Sequence, residues 1–220
     1  FTLLDDGLAY VKAGDDVKVA LERLHGDRSD AASWRSGLEE VFNVEAFLKT
    51  LAVGRVMMNW DSYGCMHHNY FVYVDPNDQN RLRWFPWDLN ETMLDREQAG
   101  CPAPGSVFLD ELVDGAEGID TDWPLVRFLL ADGTYRQRYR SMLRETLDGP
   151  FAETSLVERF RRYHALISPY VIGPEGVEKY PYSNTNAEDF KSSLLGGASA
   201  LETHVAERHK AVEAALAAEP

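Results

Sequence analysis

The chain is short of basic residues, of cysteine and of long apolar runs, and each shortage excludes something. Lys and Arg number 22 against 36 Asp and Glu, for a net charge of −14. A nucleic-acid binder presents a basic face whose cations neutralise phosphates, so no nucleic acid is expected as a partner. An anionic membrane surface is disfavoured for the same reason. No apolar run approaches the roughly 18 residues that a spanning helix needs, so no membrane span is expected, and no signal peptide is visible. The two cysteines, Cys65 and Cys101, have no CxxC spacing, which disfavours a thiolate metal site. Two readings of them stay open: reduced, half-buried thiols, or one disulfide closing a loop of roughly 36 residues. Repeats are absent, and so is a Gly-rich phosphate loop.

Apolar residues are plentiful. At 45% hydrophobic and 11% aromatic the chain can bury a sizeable core, and its charged fraction of 26% is ordinary for a globular protein. No composition break divides the 220 residues, so a single domain, 1–220, is expected. Most of the chain has helical spacing. Val19, Leu21 and Leu24 mark a first helix, and Ser29-Asp30 can cap a second carrying Trp34 and Leu38. Asn43 caps a third, with Phe47, Leu48, Leu51, Ala52 and Val56 on its core face. From Pro124 onward helices follow one another. Tyr135, Tyr139, Leu143 and Leu147 recur at fourfold spacing, and Asn186 caps a later segment. Residues 91–122, acidic and rich in Gly and Pro, read as loop.

One stretch departs from this pattern. Asn69 to Asp75 is aromatic and β-branched and predicts a strand with both faces buried. Pro76 to Asn80 is a turn cluster, Arg81 to Phe85 is a partner strand, and Pro86 ends the ladder. The fold class is therefore α+β, mostly α-helical, with one β-hairpin (about 69–86) on a helical bundle. Asp61 stands at or just past the end of the third helix, before the hairpin. His67, His68 and Asn69 enter the first strand, and Trp87, Asp88 and Asn90 leave the second. An antiparallel hairpin brings its entry and exit together at its open end. Asp61, Asn69 and Asp88 are thereby expected at one site, a hard oxygen set suited to Mg²⁺ or Mn²⁺. Each residue alone has a plainer reading: a turn aspartate, a structural histidine, a core tryptophan at Trp60, Trp84 or Trp87. A carboxylate-pair sugar hydrolase using Asp61 and Asp88 is a further alternative.

The strings NWDSYG, HHNYFVYVDP and RWFPWDLNET, in that order and spacing, resemble the spore coat protein H (CotH) kinase family, densely from Phe47 to Met93. The resemblance implies the C-terminal lobe of an atypical protein-kinase-like fold, with ATP as phosphate donor and a protein Ser/Thr hydroxyl as acceptor. It implies Asp61 as the catalytic-loop residue and Asp88 as the metal-binding aspartate. Asn69, with Asn90, would complete the metal set, and His68 and Trp87 would border the cofactor. It also implies a secreted, cell-surface or spore-associated protein. Two departures carry expectations of their own. Asn90 stands where the family pattern has a second aspartate. Lys12 and Lys18 are not embedded in strand patterns, so the family's nucleotide-binding lobe is expected to be absent from this chain, and little transfer is expected of the chain alone. The alternative is a kinase-like coat or surface binding module that does not catalyse.

Overall fold

Short polar residues decide where helices begin. The computed structural model describes residues 14–93, 107–109, 123–174, 176, 186–194 and 200–218. After α1, Gly14–Leu24, the Asp30 carboxylate accepts from the backbone N–H groups of Ala32 and Ser33 and starts α2, Ala31–Glu39. Asn43 Oδ1 accepts from Ala46 N at 2.9 Å and starts α3, Val44–Val56. Each cap satisfies a donor that a helix start leaves without an intrahelical partner. The other end of α1 is closed from outside: Trp34 Nε1 donates to the carbonyls of Arg23 and Leu24, at 3.0 and 3.2 Å.

The hairpin is as the alternation predicts. Strands β1, Tyr70–Asp75, and β2, Arg81–Pro86, pair antiparallel with Tyr70 opposite Pro86 and Asp75 opposite Arg81. It is fastened to α3 through its turn and through β2. Asn43 Nδ2 donates to Asp78 in the turn, while Leu82 N donates to Val41 O and Leu82 O accepts from Asn43 N, both at 2.8 Å. One side chain thus caps a helix and holds a turn. The expectation that both faces of β1 are buried is not met. Leu82 and Trp84 of β2 are buried, but Phe71 and Tyr73 are 57% and 51% exposed. The hairpin stands alone as a two-stranded sheet, so one of its faces is covered by α3 and the loops while the other faces outward.

The chain gathers into two compact units, Phe1–Leu143 and Arg144–Pro220. In the first, α4, Pro124–Ala131, and the first part of α5, Gly133–Asp148, join α1–α3 and the hairpin. Asp132 connects these helices: its Oδ1 accepts from Thr134 N and Tyr135 N, and its Oδ2 from Arg35 Nη1 at 2.6 Å. The fourfold stripe on α5 is core, with Tyr135, Tyr139 and Leu143 at most 1% exposed. Tyr135 keeps its hydroxyl satisfied by donating to Glu39 at 2.9 Å, and burial pushes its pKa well above the ordinary value.

In the second unit α6, Glu153–Val171, packs with α8, Leu201–Ala217. Their contact includes a bidentate pair, with Arg161 Nε and Nη2 each 2.7 Å from a carboxylate oxygen of Glu202. Asn186 caps α7, Ala187–Ser192, by accepting from Asp189 N. His164 of α6 stacks on Phe190 of α7 at 4.0 Å. The expected loop at 91–122 lies mostly outside the described residues. No described helix is long and apolar enough to cross a membrane. The fold is α+β and mostly α-helical, with one hairpin.

The turn carries a pH signature. Hydrogen bonds from Arg81 first, then from Asn43, hold the Asp78 carboxyl below its ordinary 3.8. A carboxyl whose folded pKa is depressed stabilises the fold fully above its unfolded value, and that contribution is lost as pH falls through the folded value. Asp78→Asn is therefore expected to flatten the fall in stability below about pH 4. Urea melts of both proteins at pH 7 and in acid will show it, and parallel curves would contradict it.

Candidate functional site

The site begins at the end of α3. Asn59 N donates to Gly54 O at 2.8 Å and Met58 N to Arg55 O at 3.2 Å, with Met58 in the left-handed region at φ 54°. This is a Schellman closure with methionine where glycine is usual. The helix ends at Val56, and Asp61 lies past the terminus, in the loop beyond the cap.

That loop is packed down by Tyr63. Its ring lies edge-on to Phe47, Tyr70, Trp84 and Trp123, with centroids 4.9–6.0 Å away. Its hydroxyl accepts from Leu125 N at 3.2 Å, so one orphan donor at the start of α4 is met by this loop. Burial pushes the Tyr63 hydroxyl far above the ordinary tyrosine pKa, so it stays protonated. His67 stacks on Trp123 at 4.2 Å. Cys65, in the same loop, is disulfide-bonded, which decides against the reduced-thiol reading. The chain's other cysteine, Cys101, lies outside the described residues.

With the loop fixed, Asp61 meets the hairpin entrance. His68 Nε2 is 2.6 Å from Asp61 Oδ1. Asn69 Nδ2 donates to Asp61 Oδ2 at 2.8 Å and to the Asp61 carbonyl at 2.9 Å. Both carboxylate oxygens are thus held by neighbours, and the Asp61 side chain is 15% exposed against 46% for His68. Across the hairpin, Trp87 N donates to Asn69 O at 2.9 Å, which extends the ladder by one pair beyond Tyr70 and Pro86. Asp88 follows immediately, at φ 49°, and Asn69 sits at φ 61°. Both strand ends turn away through left-handed residues, a conformation that Asn and Asp tolerate best after glycine. Asn90 is exposed in a short 3₁₀ turn, Leu89–Glu91, and Met93 N returns to Met57 O at 2.8 Å.

The structure thus brings Asp61, His68 and Asn69 into direct contact and seats Trp87 and Asp88 beside them. No three His, Cys, Asp or Glu side chains cluster among the described residues. The set expected to hold a hard ion, Asp88, Asn69 and Asn90, is one carboxylate and two amides, and two of its members have acceptors left over. Asn69 commits its Nδ2 to Asp61, and its Oδ1 accepts nothing among the described residues. The Asp88 side chain makes no cap hydrogen bond and has no ion-pair partner among them. Oxygen ligands of this kind suit Mg²⁺ or Mn²⁺.

The plainer reading of Trp87 as core is not met: it is 61% exposed and meets Phe71 edge-on at 5.4 Å. Sequence reasoning also passes over Tyr63, for which a lone aromatic in a loop gives no local signal.

The family model described as CotH kinase protein matches residues 11–212. A curated relative, Invasin CotH3 of Rhizopus delemar, is 22% identical over 165 residues, which take in 74% of this chain and 26% of that protein. The chain therefore spans about a quarter of the length of the curated relative it matches.

The Cys65 disulfide constrains the loop that carries Asp61. Closing about 36 residues corresponds to roughly 4 kcal/mol by chain entropy. Guanidinium melts with and without reductant are expected to differ by about that amount, and superimposable melts would remove the disulfide from the stability of this loop.

Proposed function

Since the chain belongs to the CotH kinase protein family, we propose that it carries the catalytic-loop and metal-holding part of a Ser/Thr protein kinase that uses ATP. The observation that carries this reading is the Asn69 junction. One amide holds Asp61 on one side, and its backbone carbonyl accepts from Trp87, next to Asp88, on the other. Phosphoryl transfer needs little covalent chemistry from a protein and much positioning.

In this reading Asp61 receives the acceptor hydroxyl. His68 and Asn69 fix its carboxylate so that it faces the acceptor in one orientation. The hydroxyl oxygen bonds to the γ-phosphorus, the bond to the β–γ bridging oxygen breaks, and the hydroxyl proton leaves toward Asp61. Asp88 and Asn69, with Asn90, would hold Mg²⁺ or Mn²⁺, which neutralises phosphate charge when bound. The chain's net charge of −14 makes that neutralisation a requirement for binding a polyphosphate. The relative's name, an invasin, supports a surface or secreted setting for this chain as well.

In the chain at its full natural length, Asp61→Ala and Asp88→Ala are each expected to lower phosphate transfer to a Ser/Thr protein substrate by at least about 100-fold. Transfer would be measured with labelled ATP, and full activity in both variants would sink the assignment.

A second reading is a binding module that does not catalyse. Two observations favour it. Asn90 contributes an amide where a second carboxylate is expected, and the outward aromatic face of Phe71, Tyr73, Phe85 and Trp87 is a surface that folded monomers seldom leave open. Calorimetry of the same full-length chain with Mg²⁺–ATP separates the two. Saturable heat supports the kinase, and no heat at millimolar nucleotide supports the module.

A further inference from the structure

The hairpin has two edges, and its pairing decides which backbone groups point out of each. Trp87 N donates to Asn69 O, and Pro86, opposite Tyr70, has no N–H to give. Hydrogen-bonded pairs alternate with open ones along an antiparallel ladder. Phe71, Tyr73 and Asp75 therefore turn their backbone groups toward β2, and Tyr70, Val72 and Val74 turn theirs away from it. The same alternation points Leu82 out of the opposite edge, where it is bonded to Val41 and Asn43 at 2.8 Å. That edge is closed there. On the β1 edge the outward groups of Tyr70, Val72 and Val74 have no partner among the described residues.

The β1 edge is open to the side as well. Val72 shares a face with the buried Trp84, yet it is 38% exposed. Folded proteins guard a free edge with Lys, Pro, a bulge or a very short strand. β1 has six residues, YFVYVD, with neither Lys nor Pro, and its register with β2 runs without a bulge. Its residue types are those that strands favour most.

We propose that the β1 edge is a docking site for an extended peptide of apolar and basic residues, which joins the hairpin as a third strand. Donors and acceptors repeated at every second residue are matched by another extended backbone. Alternate side chains of the added strand lie beside Phe71 and Tyr73 on the outer face, which calls for apolar residues there. Charge selects a basic peptide over a second copy of this chain. At −14, two copies repel each other. The edge also begins next to Asn69, which holds the Asp61 carboxylate, and Asp88 follows the cross-strand partner of Asn69 with no ion-pair partner among the described residues. At the other end Arg81 and Arg83 are already paired, with Asp78 and Asp75. The proposal does not depend on phosphate transfer and goes beyond it.

The test uses the full-length chain, without nucleotide or metal, and the peptide acetyl-Lys-Thr-Val-Thr-Val-Thr-Val-amide. Two N-methylated forms accompany it, one methylated at every Thr nitrogen and the other at every Val nitrogen. In an extended strand these two sets point to opposite sides. Calorimetry gives the affinities, and residue-resolved hydrogen exchange follows the Tyr70, Val72 and Val74 amides. The parent peptide is expected to bind saturably and to slow those three amides. One methylated form is expected to match it, and the other to bind at least about tenfold more weakly. Glu in place of the peptide's Lys is expected to weaken binding about threefold. Val72→Pro removes an outward donor and spares the ladder to β2, so it is expected to abolish binding with an unchanged thermal melt. Should that variant not fold, the methylated pair still decides. Equal binding of the two methylated forms, equal binding of the Lys and Glu peptides, or no binding of the parent up to its solubility would each overturn the proposal. So would amides already slow before peptide is added, and slowing that grows with protein concentration would give the edge to a second copy instead.

Discussion

Asn69 joins two parts of the chain that secondary structure alone would not bring together. Both side-chain N–H bonds go to Asp61, one to the carboxylate and one to the carbonyl. Its own carbonyl accepts from Trp87 across the hairpin. Its φ of 61° turns the strand entrance so that all of this is within reach. Few residue types meet these demands together. Glycine would keep the backbone and lose the hold on Asp61. Aspartate would tolerate the conformation but supply no donors, and it would place a like charge against the Asp61 carboxylate. Asparagine tolerates the left-handed region and has two donors on a short arm. The orientation of Asp61 and the position of Asp88 both depend on this residue.

Asn69 can act only if the loop carrying Asp61 is rigid, and Tyr63 provides that. A half-buried tyrosine with four aromatic neighbours has a large contact area. Its hydroxyl, held on Leu125 N, stops the ring from turning. Polar precision at the site thus rests on apolar packing beneath it, with the Cys65 disulfide as a further tie. A weak hydrogen bond between exposed groups would be traded for water, whereas Asp61 is kept in place because its surroundings leave it no comparable alternative.

The sequence made legible whatever is encoded by near neighbours. The caps at Asp30, Asn43 and Asn186, the hairpin and its turn, and the tyrosine stripe of α5 each depend on residues within a few positions of one another. They were found where the spacing put them. The meeting of Asn69 with Trp87 was also legible, because antiparallel pairing fixes which ends meet. The partners of Asp61 were less so. Its contacts depend on how a loop of irregular backbone closes, and that is decided by packing with Trp123 and Leu125, some 60 residues away in sequence. The same limit hid the role of Tyr63 and the pairing of Cys65, neither of which has a periodic or spacing signal.

The least expected result, the open face of β1, has a physical reading of its own. The run Tyr70 to Val74 has the composition of a strand covered on both sides, yet Phe71 and Tyr73 face outward beside Phe85 and Trp87. Hydrophobic composition records every surface that a residue meets, including surfaces supplied by something other than the residues packed around it in one unit. A lone two-stranded hairpin is at best marginal without cover. Here α3 covers one face and so accounts for only half of the composition. The other half, Phe71, Tyr73, Phe85 and Trp87 on the outer face, stays exposed. That face borders Trp87 and so reaches the end of the hairpin where Asn69 and Asp88 stand.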